Sequence, residues 1–291
     1  MNDYLVKAAA YNYQVRAFAV VMTDTIEEVR RRHDLLPIAA TAIGRAMTAT
    51  VLMSTMLKGN DQISVTINGG GPVGSLLIDA NTTGDVRGYV TNPKAYVDLN
   101  DDNQLDIGTA VGPYGSLSVT RRNGNNMPFI GQVPLVSGEI GDDFTSYLLT
   151  SEQIPSSVGV STLIAQDFSV SQAGGFIIQL MPGTDVKIIE EIEAHIAENI
   201  SLTNMLQQQK TPLEILQGIL GEDLDFLEEM PVQFKCECSR ERIANAIISL
   251  GRVEIEDMIE VDGQANAECH FCNENYLFTK DDLKQLLAQA K

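Results

Sequence analysis

Apolar positions recur with two periods along the chain. "YLVKAAAYNYQVRAFAVVMT", from Tyr4, reads as one or two strands. "DTIEEVRRRHDL" then places Ile26, Val29 and Leu35 or Leu36 at helical spacing, with a capping start at Asp24 or Thr25. Residues 35–57, "LLPIAATAIGRAMTATVLMSTML", have the length of a membrane span. Arg45, the Thr and Ser residues and the early Pro37 predict a buried core helix instead. Short strands punctuated by turn residues come next: "QISVTING", "GSLLIDA", "VRGYVT", "SLSVTRR" and "GGFIIQLMPG". Several strands with few but long helices predict an α+β domain over residues 1–183.

From Thr184 the period changes. Val186, Ile189, Ile192, Ile196 and Ile200 recur at helical spacing with acids between them. Thr211, Pro212 and Glu214 supply an N-cap, a first-turn proline and a capping-box acid. Leu213, Leu216, Ile219 and Leu220 form the stripe of that helix, and Gly221 stops it. Residues 184–229 therefore read as an amphipathic helical linker, and residues 230–291 as a small cysteine-bearing domain.

Charge supports a boundary near residue 184. The net charge is −19; residues 184–291 hold 9 basic and 22 acidic residues, a balance of −13, and residues 1–183 hold 11 and 17, a balance of −6. Such acidity argues against binding nucleic acid or an anionic membrane through bulk electrostatics. With 291 residues, 44% of them hydrophobic and 20% charged, the chain is expected to be soluble and to form about two domains. Its N-terminus lacks the pattern of a signal peptide, so the cytosol is the expected compartment. Thiols stay reduced there, which turns attention to the cysteines.

All four lie near the C-terminus, in "FKCECSRERI" and "NAECHFCNENYLF". Cys-x-Cys and Cys-x-x-Cys each place two thiols within reach of one ion, and the 30 residues between Cys238 and Cys269 can fold back to close the site. Cys236, Cys238, Cys269 and Cys272 are thus the expected ligands of one tetrahedral zinc ion per chain. His270 is an alternative ligand, although four sulfurs already suffice. Ser239 is placed to cap a helix ending at Gly251. Lys235, Arg240 and Arg242 are candidates to balance the charge of −2 that four thiolates leave on Zn²⁺. Spacing alone favours an inert structural zinc over a reactive one, because most four-cysteine zinc sites are structural.

No other stretch suggests an enzyme. "DLNDDNQLD" resembles an EF-hand start but has Asn103 and Thr109 where Gly and Glu are required. "NGGGPVGS" lacks the lysine and spacing of a nucleotide loop, and "GVSTL" around Ser161 lacks the second glycine of a nucleophile elbow. His33 and His195 have no obvious catalytic companions.

"FKCECSRERI", "AIISLG", "AECHFCNENYLF" and "TKDDLKQLL" resemble the redox-switch domain of the 33-kDa heat-shock chaperones. "SEQIPSSVGVSTLI", "QAGGFIIQLMPG" and "INGGGPVGSLLIDANTTGDVRGYV" resemble that family's N-terminal domain, so the likeness spans almost the whole chain. It implies a cytosolic, ATP-independent holdase rather than an enzyme. The four cysteines would hold zinc in a reduced, inactive form. Oxidation would join Cys236 to Cys238 and Cys269 to Cys272, with zinc release and unfolding of the small domain. The linker would destabilise, and the active dimer would bind unfolding client proteins. Two other readings fit the cysteines: a thiol–disulfide oxidoreductase using "CHFC", and a zinc-ribbon adaptor whose metal is purely structural.

Overall fold

The computed structural model describes residues 3–123, 127–199 and 201–290, so Ile200 of the expected linker stripe lies outside the described residues. Packing divides the chain once, between Lys235 and Cys236. By its contacts, segment 184–229 belongs to the first of these two units.

In chain order the first unit begins with β1 (Tyr4–Ala10), β2 (Val15–Val21), α1 (Thr23–His33), α2 (Pro37–Ser54), β3 (Gln62–Asn68), β4 (Ser75–Asn81), β5 (Asp85–Val90) and α3 (Ile107–Val111). It continues with β6 (Ser116–Arg122), β7 (Phe129–Pro134), α4 (Gly141–Thr150), β8 (Ser156–Ile164) and β9 (Val170–Leu180). The predicted linker segment then forms α5 (Val186–Asn199), α6 (Leu202–Gln207) and α7 (Pro212–Leu220), followed by β10 (Asp225–Pro231) and β11 (Gln233–Phe234). The mixed α+β class is as expected. One sheet has the order β10-β1-β2-β9-β8, and the other β11-β5-β4-β3-β6-β7, with β11 parallel to β5 and the remaining pairs antiparallel.

Helix α2 packs against β8 and β9 of the first sheet and β4 and β5 of the second. Sixteen of its 18 residues are buried, so it has no polar face, as befits a helix enclosed on all sides. Glycine makes room for it: a Cβ on Gly175 of β9 would stand 2.8 Å from Thr48 Cγ2, and one on Gly88 of β5 3.2 Å from Met47 Cγ. The Thr48 and Thr50 hydroxyls donate to the carbonyls of Gly44 and Ala46, one turn back, and Arg45 reaches Glu139 at 2.6 Å. These local bonds let polar residues sit in a buried helix. Among the described residues no helix is long and apolar enough to cross a membrane.

Helix α1 departs from expectation at its start. Neither Asp24 nor Thr25 is its cap; both lie inside it, and no side chain at Met22 does that work. Instead the Asp3 carboxylate accepts the amide protons of Asp24 (3.2 Å) and Thr25 (2.6 Å). A residue just before β1 thus satisfies the helix's free N–H groups and sits at the positive end of its dipole.

The first sheet is apolar on both faces. On β2, Phe18 and Val20 face the α2 core, while Val15, Ala17 and Ala19 face the opposite way. This second face, also lined by Ala8 and Ile178, is covered by Ile192 of α5, Leu206 of α6 and Ile215, Leu216 and Ile219 of α7. Small alanines let the helices approach closely. The expected capping box of α7 is present: Thr211 Oγ1 accepts the Glu214 amide, and the Glu214 carboxylate accepts the Thr211 amide.

Candidate metal centre

The second unit builds its site from two short pieces. Cys236 and Cys238 directly precede α8 (Arg240–Leu250), whose first turn is capped by Ser239 Oγ accepting from the Arg242 amide. Gly251, at φ 94°, ends it, a conformation that suits glycine. Helix α9 (Arg252–Asp257) runs into a π-helical turn, Met258–Asp262, and then the hairpin of β12 (Gln264–Glu268) and β13 (Asn275–Thr279). Thr279 and Asp282 form a capping box at the start of α10 (Lys280–Leu287). Ile247, Ile255, Ile259, Phe278, Leu283 and Leu286 are the buried core among the described residues.

Cys269 and Cys272 occupy the hairpin turn. The Cys269 carbonyl accepts the amides of Cys272 (3.1 Å) and Asn273 (2.8 Å), and the Cys269 amide donates to the Glu274 carbonyl (3.0 Å). Asn273 has φ 56°, a left-handed conformation that Asn tolerates. The turn therefore points both thiols to one side. A redox motif of an oxidoreductase opens a helix; this "CHFC" joins two strands.

The four sulfurs lie within 4.8 Å of one another. Cys236 Sγ is 3.7 Å from Cys269 Sγ, and Cys238 Sγ is 3.3 Å from Cys272 Sγ. Ligands at 2.3 Å in a tetrahedron stand about 3.8 Å apart, so the donor set and its spacing fit a single thiophilic ion such as zinc. Burial pushes the Cys272 and Cys269 thiols above their ordinary range. Burial also acts to raise Cys238, but hydrogen bonds from Tyr276 and then Cys272 outweigh it and hold this thiol low. Thiolates gathered this closely repel one another unless a cation lies among them.

Tyr276 was not a sequence candidate. Its hydroxyl lies 3.2 Å from Cys238 Sγ, and the hydrogen bond between them raises the phenol's own pKa. The alternation of β13 puts Tyr276 and Phe278 on one face, a signal that "NYLF" carries without revealing its partner.

Each of the expected counter-charges has an acidic partner. Lys235 pairs with Asp85 at 2.8 Å, Arg240 with Asp282 at 2.9 Å and Arg242 with Glu237 at 3.3 Å. Arg240 also lies over the Phe278 ring, 4.3 Å from its centroid. His270 is exposed and does not belong to the cluster of metal-competent donors among the described residues. His33 is buried in α1, and His195 Nε2 meets the Gly218 carbonyl at 3.1 Å. Ser161 lies within β8, its hydroxyl 3.2 Å from that of Thr203. In the acidic loop Asn100 accepts the amides of Asp102 and Gln104, while Asp106 caps α3. The "NGGGPVGS" stretch links β3 to β4.

With this geometry established, comparison with known proteins gives the lineage. The family model described as "Hsp33 protein" matches residues 3–279. The chain belongs to the Hsp33 family. It is 55% identical over 284 residues to the 33 kDa chaperonin of Bacillus pumilus (strain SAFR-032), covering 98% of each chain. It is 53% identical over 288 residues to that of Bacillus subtilis (strain 168), covering 99% of each. The crystal structure of the 33 kDa chaperonin, a heat shock protein 33 homologue, from Thermotoga maritima matches with a TM-score of 0.93 at 35% identity and 99% coverage of both chains. The Hsp33 relationship spans both units, so the cysteine unit is part of the family's architecture.

Proposed function

We propose that the protein is an ATP-independent holdase, switched on by oxidation of its four cysteines, that keeps unfolding proteins from aggregating under oxidative and heat stress. The observation that carries this reading is the gathering of all four thiols at one point of a small unit. In the reduced, inactive form Cys236, Cys238, Cys269 and Cys272 would hold one zinc ion per chain. Bound there, zinc would cross-link the segment before α8 to the β12–β13 turn and supply folding free energy, roughly 10 kcal/mol or more in zinc-finger peptides.

Under peroxide, Cys236 would join Cys238 and Cys269 would join Cys272, the pairing that the family resemblance implies. Each pair gives up two protons and two electrons, and one peroxide becomes two waters. The sulfurs then cease to be thiolate ligands, and a unit of 56 residues with a small core loses its main support. Segment 184–229 would loosen in turn and uncover apolar surface for clients. The covered alanine-rich face of the first sheet, and the apolar stripes of α5–α7 that cover it, make this reading physically reasonable. The active form would be a homodimer, working in the cytosol without nucleotide, nucleic acid or membrane.

Light scattering from a heat-unfolding client tests the proposal. The peroxide-treated protein should suppress aggregation and the reduced, zinc-loaded protein should not. Equal behaviour of the two forms would overturn the switch and favour a purely structural zinc. Tryptic digestion without reductant tests the pairing. Cys236 and Cys238 share peptide 236–240, and Cys269 and Cys272 share peptide 253–280. The proposed disulfides leave these peptides separate; cross-pairing would link them.

A further inference from the structure

We infer that the first unit holds a binding site for a free, single-chain amphiphilic anion of the fatty-acid type, in a cavity beyond the C-terminal end of α2. The cavity has a volume of about 440 Å³, within the usual range for small-molecule sites. Phe18 of β2, Leu148 of α4 and Met56 and Leu57 just after α2 supply apolar wall, and Leu227 of β10 closes one side.

Charge selects the ligand's head. Lys7, Arg16, Lys58 and Arg121 line the cavity, against one lining carboxylate, Glu152. Four positive charges against Glu152 and Glu228, which pairs with Lys7, leave +2 here, in a chain of −19. Lys7 pairs with Glu228 at 2.8 Å and Arg121 with Glu152 at 2.7 Å. Arg16 and Lys58 are exposed and have no ion pair among the described residues. The local field therefore attracts an anion to a protein that otherwise repels one.

One buried donor at the cavity is unserved: Arg121 Nε has no hydrogen-bond partner among the described residues. The Gln179 amide, on a residue only 4% exposed, reaches Met56 Sδ at 3.5 Å, an ordinary distance to sulfur, and Ser156 Oγ at 3.4 Å, a long one that a better acceptor could replace. Buried donors in native proteins are normally satisfied, and a carboxylate headgroup supplies acceptors. A compact phosphate or a sugar phosphate leaves the apolar wall unmatched, and a neutral alcohol leaves the cations unmatched. A bilayer presents its headgroups as a sheet, not as a chain that enters a cavity. Because Leu227 lies on β10, a bound chain also adds contacts to that strand and stabilises its pairing with β1.

The test is calorimetric titration of decanoate, below its micelle concentration, into the reduced, zinc-loaded full chain. One equivalent should bind saturably and raise the unfolding temperature of the first unit. Decanol and acetate, each carrying half of the chemistry, should not saturate. The double substitution Arg16→Gln, Lys58→Gln changes only exposed side chains and should weaken decanoate about tenfold or more. Methyl resonances of Met56, Leu57 and Leu148 should shift on binding in the unsubstituted protein. Uptake of many equivalents, unchanged affinity in the double variant, or shifts confined to other methyls would overturn the site. None of these outcomes depends on the cysteines, so the site and the redox switch stand or fall separately.

Discussion

The Tyr276 hydroxyl lies 3.2 Å from Cys238 Sγ, which gives one of the four clustered sulfurs a hydrogen bond from a strand side chain. A donor directed at a thiolate draws off charge and makes it a poorer nucleophile. Tyr276→Phe removes the bond while keeping the ring. In the zinc-loaded protein the variant should react with peroxide about threefold faster, the size expected when nucleophilicity follows basicity with a slope near one half. Stopped-flow measurement of disulfide formation checks this, and an unchanged rate would mean that the bond orients the ring without tuning the sulfur.

Metal removal should unfold the second unit and spare the core of the first. The second unit has six buried core residues among those described, whereas the first has two extensive cores of its own. A strong chelator under reducing conditions is expected to collapse the amide dispersion of residues 236–290 and leave that of β1–β9 intact. Substituting Cys272, the most buried of the four, with Ser should have the same effect without chelator.

The cover over the first sheet should be separable from the cysteines. Leu216 of α7 is fully buried on that face. Leu216→Ala leaves a cavity there and should destabilise the packing by about 2–5 kcal/mol. If covered surface is what clients bind, the reduced variant should already suppress part of a client's aggregation. Wild-type inactivity in the reduced variant would place client binding elsewhere.

Acid should loosen the start of β9. The Glu27 carboxylate accepts two bonds from Arg30, at 2.7 Å each, and the Val170 amide at 2.9 Å. These bonds, Arg30's foremost, outweigh burial and hold its pKa below 4.5. A depressed folded-state pKa means that the contribution is complete above the unfolded value and fades as pH falls below it. Glu27→Gln should therefore unfold at lower temperature than wild type at neutral pH, and the gap should narrow below about pH 4.5. A gap independent of pH would assign the loss to packing alone.

Much of the architecture is legible in local patterns. The strands β1–β6 and β9, the helix at 212–220 and the helix at 240–250 follow from apolar period and from caps such as Thr211, Ser239 and Gly251, because these interactions span only a few residues. Strand β10 was not legible. "DFLEEMP" is acidic and mostly exposed, and it is a strand because its backbone pairs with β1, more than 200 residues away in sequence. Helix α1 was placed correctly but its cap was not, since Asp3 reaches it only after β1 and α1 are brought together.

The candidate site divides in the same way. By itself the sequence determined which four side chains could hold a metal, because Cys-x-Cys and Cys-x-x-Cys impose proximity within each pair through the covalent chain. The tertiary structure decided that the pairs meet, with Cys236 beside Cys269 and Cys238 beside Cys272, and that Tyr276 stands over one of them. It also decided that Arg240 and Arg242 are engaged by Asp282 and Glu237. Contacts across some thirty residues depend on how a hairpin packs against a helix, and no spacing rule along the chain carries that information.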